Sequence, residues 1–274
     1  MKKSVFLILC FCWASGMVCF AQGQTIQPDN KKEWKLVWKD EFNYKNRAAL
    51  LKKWESQNGV DSRVTLFCSR WEDNVEVGNG VVRLVNRKEE RVAKKPWTCG
   101  NIWTRRDFLY GYFECRYKYS AASGTNNSFW LMTRSSYLWP MEKSEATDPA
   151  TGKRFEIDIN EGHYPNKVNT CIHSRKTNAD GSETLVASDS KPVEHVFDDI
   201  DFSKDYHLFG LEWTKDEIIY YLDRKEIRRE KNVFCLTPSP ILLSVAIKDW
   251  AGKVADSIDG TYMEIDYVRV YNRK

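Results

Sequence analysis

The sequence Phe-Glu-Ile-Asp-Ile-Asn-Glu at residues 155–161 places three carboxylates in a stretch that is otherwise apolar and strand-forming. Side chains of a β-strand alternate between its two faces, so Glu156 and Asp158 share one face while Ile157 and Ile159 share the other. Like charges held together raise one another's pKa values and cost stability, which is typical of sites whose chemistry needs paired acids. The stretch therefore predicts a strand with one buried apolar face and one acidic face.

The third acid, Glu161, would point away from the other two under strict alternation. One extra residue absorbed as a β-bulge near Asn160 would return Glu161 to their face, and bulges often re-aim side chains beside active sites. Leaning side chains could then bring the carboxyl groups of Glu156 and Glu161 to the ~5–5.5 Å typical of a retaining glycosidase. The alternative is a solvated face of an edge strand. The apolar opposite face and the turn-forming residues 162–165 favour the catalytic interpretation.

Alternating segments bounded by turn residues recur along the chain. Strands are predicted at residues 36–38, 75–84, 111–119, 169–173, 207–213, 218–222, 241–247 and 263–271. Many strands without intervening helices predict an all-β fold, a β-jelly-roll sandwich of two antiparallel sheets with a concave substrate cleft. The aromatic content of 14%, with 11 Trp, is high for a core alone, so some rings are expected to line the cleft.

The first 21 residues are typical of a secretory signal peptide, because two lysines precede an apolar run that ends at Ala21. A lipoprotein signal centred on Cys19 is the less favoured alternative, since Val18 stands where a small residue is expected. Residues 22–274 are then expected to form one catalytic domain that is secreted, periplasmic or at the cell surface. They contain no second apolar run long enough for a membrane span.

The charge balance bears on nucleic-acid binding, and the cysteines bear on zinc sites and disulfides. The chain has 42 basic and 38 acidic residues, a balance that predicts no nucleic-acid partner. Five cysteines follow the signal segment, with no spacing of the zinc-site kind: Cys68, Cys99, Cys115, Cys171 and Cys235. Export permits a disulfide among them, but an odd number leaves at least one thiol unpaired within the chain, and the connectivity stays open.

The acidic strand and its surroundings resemble glycoside hydrolase family 16, whose bulged signature Glu-x-Asp-x-x-Glu is matched by Glu156, Asp158 and Glu161. Further landmarks follow in the family's order at residues 38–42, 74–80, 110–116, 129–131, 210–213 and 263–271. The resemblance covers nearly all of residues 22–274. It implies a two-step retaining cleavage inside a β-linked polysaccharide or oligosaccharide chain.

The resemblance also implies a role for each acid. Glu156 would be the nucleophile that forms a glycosyl-enzyme intermediate. Glu161 would protonate the leaving oxygen and then deprotonate the incoming water. Asp158 would hydrogen-bond Glu156 and keep it ionised, while its charge discourages ionisation of Glu161. This chemistry requires no cofactor.

Several aromatic and basic residues are candidates for substrate contacts. Trp130 resembles a family tryptophan at the subsite preceding the cut, and His173 resembles a histidine close to the catalytic strand that would hydrogen-bond substrate. Four further candidates, whose alternative is ordinary packing, are Trp103, Arg105, Trp139 and Trp250.

Many members of the family bind calcium on the convex face. The resemblance implies that a structural calcium ion would be held here at the positions of Glu41, Gly80 and Asp266. Two carboxylates and a turn carbonyl supply the oxygen ligands that calcium prefers. Acidic residues at the ends of strands are also common without a metal.

Two departures from the family pattern bear on the substrate and on one turn. Residues 125–128 read Thr-Asn-Asn-Ser where β-1,3-glucanases carry Trp-Pro-Ala, so a stacking tryptophan is missing. This favours a galactan (agaran, porphyran, carrageenan or a host glycan), with a β-1,3- or β-1,3-1,4-glucan as the alternative. A transglycosylase and a non-catalytic glycan-binding protein are less favoured. Asp223-Arg224 stands where a hairpin Asp-Gly is common, so that turn is expected to widen.

Overall fold

Short β-strands follow one another through the computed structural model, which describes residues 25–59, 67–134, 153–177 and 183–274. In chain order the described strands are β1 Trp34–Asp40, β2 Trp54–Glu55, β3 Cys68–Arg70, β4 Val75–Gly78, β5 Val81–Arg87, β6 Trp97–Cys99, β7 Asn101–Thr104, β8 Gly111–Lys118, β9 Thr125–Met132, β10 Lys153–His163, β11 Lys167–Thr177, β12 Glu183–Leu185, β13 Val193–Val196, β14 His207–Trp213, β15 Glu217–Leu222, β16 Lys225–Lys231, β17 Ile241–Ile247 and β18 Tyr262–Arg273. One α-helix, α1, spans Arg47–Leu50. Short 3-10 turns lie at Glu72–Asn74, Ala187–Asp189, Asp249–Ala251 and Asp256–Ile258.

Two predictions from the sequence fall outside these ranges. The predicted signal segment 1–21 and the substrate candidate Trp139 lie outside the described residues. Within the described ranges, no helix has both the length and the apolar character needed to cross a membrane.

Two sheets form the sandwich. The first has the order β16-β15-β14-β8-β18-β5-β6-β3, with β1 also pairing with β18 and β4 with β5. The second has the order β12-β11-β10-β9-β17-β7-β2, with β13 also pairing with β11. The pairings are antiparallel except for that of β3 with β6. The predicted β-jelly-roll sandwich of two antiparallel sheets is confirmed. The predicted strands are present, except that residues 75–84 form two strands, β4 and β5, joined by a turn at Asn79 and Gly80.

The hydrophobic core lies between the two sheets and orients the acidic strand. Phe155 and Ile157 of β10 are fully buried, and Ile159 is 2% exposed. The ring of Phe155 packs edge-on against Trp213 of the first sheet, with 5.4 Å between ring centroids. Burying one such side chain contributes about 1.5–3 kcal/mol. Because these residues alternate along β10, their burial directs the side chains between them to the outer face of the second sheet.

The turn between β15 and β16 differs from the prediction. Asp223 and Arg224 form a two-residue hairpin turn with φ values of 48° and 65°, as in a type I′ turn. Neither residue is a glycine, but both side chains are anchored. Asp223 accepts a hydrogen bond of 2.9 Å from the backbone N–H of Leu208, and Arg224 donates one of 3.0 Å to the buried Glu114. The expected widening of the turn is therefore wrong, because these side-chain contacts hold the backbone in the left-handed region.

The five cysteines beyond the predicted signal segment are buried, and no disulfide joins any two of them in the part of the chain that the structure describes. The disulfide that export would permit is therefore not formed among these thiols.

Candidate active site

A β-bulge in β10 brings the three acids to one face of the second sheet. Across to β11, Asp158 pairs with Cys171 and Glu161 pairs with Asn169, so three steps along β10 match two along β11. The pairing of β10 with β9 shows a shift at the same place. Residues opposite partners two apart share a face, so Glu161 returns to the side of Asp158 and Glu156. We call this side of the second sheet the acidic face.

Asn160 is the residue that the bulge turns into the core. Its Nδ2 donates hydrogen bonds of 2.6 Å to the hydroxyl of Tyr117 and 2.7 Å to that of Tyr119. The next residue but one, Gly162, packs against the same Tyr119 ring, which a Cβ at this position would overlap. Buried hydrogen bonds contribute about 1 kcal/mol each, and leaving a buried partner unpaired costs more. These contacts hold the bulge and thereby the direction of Glu161.

Glu156 is held by a guanidinium group from the neighbouring strand β11. Arg175 donates from both Nε and Nη2 to the same carboxylate oxygen, Oε2, and the bond from Nε is 3.0 Å long. The side chains of Arg175 and Glu156 are 22% and 14% exposed, so solvent screens this pair less than a surface pair. Sequence reasoning missed Arg175, although it follows His173 by two positions on a strand and therefore shares its face.

Asp158 contacts His173, with 3.2 Å between Oδ2 and Nε2. Burial, followed by the charges of Glu161 and Glu156, raises the pKa of Asp158 to about 7, against the lowering effect of His173. Burial also disfavours the charged imidazole, but the contacts with Asp158 and Cys171 outweigh it and raise the pKa of His173 to about 11.

The contacts of His173 and Asp158 differ from two expectations. On its other side, Nδ1 of His173 lies 3.3 Å from the hydroxyl of Ser190 and 3.7 Å from Sγ of Cys171. Both ring nitrogens are thus engaged inside the protein, rather than left for the predicted substrate hydrogen bond. Likewise, among the described residues Asp158 makes its side-chain contact with His173 and not with Glu156.

Glu161 is held by an amide instead of a cation. Nδ2 of Asn126 donates a hydrogen bond of 2.8 Å to Oε1 of Glu161, and Nδ2 of Asn169 donates one of 2.9 Å to its backbone carbonyl. In the part of the chain that the structure describes, Glu161 has no ion-pair partner. A carboxyl group without a fixed cation is the one of the three best suited to take up and release a proton. Asn126 lies in the segment noted in the sequence only for its missing tryptophan.

Trp130, the residue predicted to contact substrate, lies on the acidic face. It pairs with Asp158 across the strands, whereas the preceding Phe129 is fully buried in the core. Trp130 is 8% exposed, and its Nε1 donates a hydrogen bond of 3.2 Å to Oγ of Ser244 on β17. Trp130 belongs to a small cluster of buried residues with Met132, Leu242 and Trp103, in which Leu242 on β17 lies opposite both tryptophans. Most of the Trp130 side chain is therefore packed inside the protein, and a ligand could reach only a small part of it.

Trp103 and Arg105 lie further from the acids, at the edge formed by β7 and β2. The indole of Trp103 donates a hydrogen bond of 3.1 Å to one oxygen of Glu55. Nη1 of Arg105 donates one of 3.1 Å to the other oxygen. In the sheet order, β7 is separated from β10 by β17 and β9. Trp103 and Arg105 therefore both hydrogen-bond Glu55, and they lie several strands away from the three acids.

Trp250 lies near the Glu161 end of β10. Trp250 is about half exposed, and its ring packs edge-on against His163, two residues beyond Glu161, with 4.9 Å between ring centroids. Nζ of Lys248 lies 4.4 Å from the Trp250 ring centroid. An exposed ring beside the acidic face provides a surface on which a sugar could stack.

The residues predicted to hold calcium do not fit that ion. Both carboxylate oxygens of Glu41 accept hydrogen bonds of 3.0 Å from Arg269. Asp266 forms an ion pair with Arg116. Gly80 could offer only a backbone carbonyl. Because guanidinium groups already neutralise both carboxylates, a divalent cation would have to displace two arginines.

One other group of side chains has the chemistry of a metal site. Ligand atoms of Asp158, Cys171 and His173 all lie within 4.8 Å of one another. Carboxylate, thiolate and imidazole together suit zinc better than calcium. In this structure His173 bridges the other two side chains by direct contacts.

Comparison with known proteins agrees with this geometry. Residues 64–269 match the family model described as Glycosyl hydrolases family 16. The chain is 30% identical to Endo-1,3-1,4-beta-glycanase EglC of Rhizobium meliloti (strain 1021) over 182 residues, which are 64% of this chain and 34% of EglC. It therefore spans about a third of that relative's length. It is 27% identical to Kappa-carrageenase of Pseudoalteromonas carrageenovora, over 92% of this chain and 68% of the relative.

A solved structure is similar over almost its whole length. The structure of SCLam, described as a non-specific endo-beta-1,3(4)-glucanase from family GH16, matches with a TM-score of 0.70 and 27% identity. The match covers 92% of this chain and 96% of SCLam.

Proposed function

Because the chain belongs to glycosyl hydrolase family 16 and is an endo-acting, retaining O-glycosyl hydrolase, we propose that Glu156 is its nucleophile and Glu161 its general acid and base. The observation that carries this assignment is the difference between their partners. Glu156 is paired with the positively charged guanidinium group of Arg175, whereas the partner of Oε1 of Glu161 is a neutral amide. The bulge supports the pairing, since it turns both groups to the acidic face.

The proposed reaction has two steps. First, Glu161 gives its proton to the glycosidic oxygen while Glu156 bonds to the anomeric carbon on the opposite side of the sugar ring. The glycosidic carbon–oxygen bond breaks, and the leaving chain departs. In the second step, Glu161 takes a proton from water, the water oxygen bonds to the anomeric carbon, and Glu156 leaves as a carboxylate. Asp158 lies between the two glutamates along β10, and its partner His173 lies opposite Glu156 on β11.

For the substrate, we propose a galactan or a galactose-containing host glycan. The floor of the acidic face beside Glu161 carries small polar side chains, since Ser128 is opposite Glu161 on β9 and Ser244 is opposite Ser128 on β17. A glucose ring presents flat apolar faces that suit stacking on an indole, whereas the axial hydroxyl of galactose makes one face more polar. The likeness to Kappa-carrageenase supports the same substrate class.

A β-1,3- or β-1,3-1,4-glucan is the second candidate, which the likeness to EglC and SCLam favours equally. The test is incubation of the protein with laminarin, mixed-linkage glucan, agarose, porphyran, carrageenan and mucin glycans, with sizing of the products. Oligosaccharides from a galactan or mucin glycan alone would support the first candidate. Products from the glucans alone would reject it. Added acceptor sugars would reveal a transglycosylase by longer products.

We also propose that residues 1–21 are removed and that the mature protein acts outside the cytoplasm. Support comes from the lysines and apolar run of this segment. Sequencing the N-terminus of protein recovered from the expressing cells would test this. A mature chain that still begins at Met1 would reject it.

A further inference from the structure

We infer that Arg175 is a positioning residue that directs one oxygen of Glu156 to the sugar and makes this carboxylate a better leaving group in the second step. The inference rests on the proposed role of Glu156 as nucleophile. It goes beyond that role because it assigns a function to a residue that neither the acidic signature nor its spacing indicates.

The geometry distinguishes the two oxygens of Glu156. The hydrogen bonds that Arg175 donates to Glu156 through Nε and Nη2 both end on Oε2. If Arg175 instead donated one hydrogen bond to each oxygen, both oxygens of Glu156 would be engaged, and neither would be left free for attack. Because both hydrogen bonds from Arg175 end on Oε2, Oε1 is the oxygen that would bond to the anomeric carbon. The guanidinium group thus sets both the rotation of the carboxylate and the identity of the attacking atom.

Backbone register explains why Arg175 can reach Glu156. In the pairing of β10 with β11, Glu156 is opposite His173, and Arg175 is two residues further along the same face of β11. A diagonal neighbour at this spacing is within reach of a long side chain. Both partners are carried by strands within the sheet and not by loops, which favours a constant geometry during the reaction.

The charge of Glu156 changes during the proposed reaction, and the charge of Arg175 does not. When Oε1 bonds to the anomeric carbon and the glycosidic bond breaks, Glu156 becomes a neutral ester while Glu161 loses its proton to the leaving oxygen. Arg175 then faces an ester in a site where it is only 22% exposed. When water bonds to the anomeric carbon and gives a proton to Glu161, the electron pair of the Oε1–carbon bond returns to Glu156. The ion pair with Arg175 forms again, so Arg175 favours the second step relative to the first.

The test separates the two steps with a substrate that needs no proton for its first step. We would use a 2,4-dinitrophenyl β-glycoside of a disaccharide whose reducing sugar is galactose, and its glucose counterpart. With this leaving group, the first step is fast. For Arg175→Gln we expect kcat to fall at least tenfold and KM to fall by a similar factor, because the glycosyl-enzyme accumulates. Intact-protein mass spectrometry should show the added disaccharide, and Arg175→Lys should partly restore kcat by returning the charge.

A control variant distinguishes the proposed role of Arg175 from a purely structural one. Arg83→Gln removes another arginine–glutamate pair, the 2.7 Å contact with Glu264 on the first sheet, and should leave kcat and KM unchanged. Unchanged kinetics in Arg175→Gln would overturn the inference. So would a loss of activity without the fall in KM and without the covalent species, whether or not thermal unfolding shows a folded protein. Peptide mapping of the adduct separates the two proposals, since a sugar attached to a residue other than Glu156 would reject the proposed nucleophile itself.

Discussion

Nε2 of His173 lies 3.2 Å from Oδ2 of Asp158, and this contact is one of two that join a basic side chain of β11 to an acid of β10. The other joins Arg175 to Glu156. Beyond the bulge the pattern ends, because Glu161 is opposite the uncharged Asn169. The three acids therefore differ in their partners, although they are close in sequence and share one face. This difference supports the proposed roles of Glu156 as the nucleophile, Asp158 as an auxiliary acid and Glu161 as the proton carrier.

The proposed roles of the two glutamates predict opposite products in the presence of azide. In Glu156→Ala, azide can displace dinitrophenolate directly and should give the glycosyl azide of inverted configuration. In Glu161→Ala, azide should attack the covalent intermediate and give the azide of retained configuration. Both variants should lose at least a thousandfold in kcat/KM on a polysaccharide. Proton NMR of the azide products is the measurement, and the reverse pairing of variant and configuration would exchange the two roles.

Replacing Asn126 should affect the step that needs a proton. Asn126→Ala removes the 2.8 Å hydrogen bond to Oε1 of Glu161, so this carboxyl group loses its fixed orientation. We expect kcat/KM on a polysaccharide to fall about 10- to 100-fold, at the lower end of general acid–base effects, while kcat/KM on a dinitrophenyl glycoside changes little. An equal loss on both substrates would mean that Asn126 acts on sugar binding and not on proton transfer.

Gly162→Ala should destabilise the fold, because the added Cβ would overlap the buried ring of Tyr119. Overpacking of this kind costs typically 1–3 kcal/mol, and we expect about 3 kcal/mol at this site because the ring is also hydrogen-bonded to Asn160. Gly78→Ala is the matched control, since a Cβ at Gly78 meets no atom within 4 Å. Urea unfolding of both variants would measure the difference, and equal stabilities would contradict the packing argument.

His163 should make the protein less stable in acid. Burial lowers the pKa of His163 from 6.5 to about 4, so between these pH values the unfolded chain binds more protons than the folded one. The free energy of unfolding therefore falls as the pH drops from 6.5 towards 4, by about 3 kcal/mol from this residue. In His163→Gln that contribution should be absent. Denaturant titrations at pH 7 and pH 4 compare the two proteins, and parallel losses would show that His163 makes no such contribution.

Local patterns predicted the strands and much of the acidic face. The alternation of Phe155, Ile157 and Ile159 indicated which side of β10 is buried, and the spacing of Glu161 indicated a bulge. Both features appear in the structure. Patterns of this kind are readable because strand periodicity and core burial act between residues a few positions apart.

Predictions that depended on distant partners were less successful. The expected calcium ligand Glu41 is bound by Arg269 from β18, and Asp266 is paired with Arg116 from β8. The turn at Asp223-Arg224 stays tight, partly because Arg224 reaches Glu114 on β8. In each case the deciding side chain lies far away in the chain, so no local pattern reveals it.

The amino-acid sequence determined that β10 has a buried apolar face and an acidic face, because side-chain alternation is a property of the strand itself. Only the tertiary structure decided which partner each carboxylate has. That choice depends on the register between β10 and its neighbours, and on the position of the bulge within it. A shift of one residue would exchange the faces, so the distribution of charge among the three acids is a property of the assembled sheet.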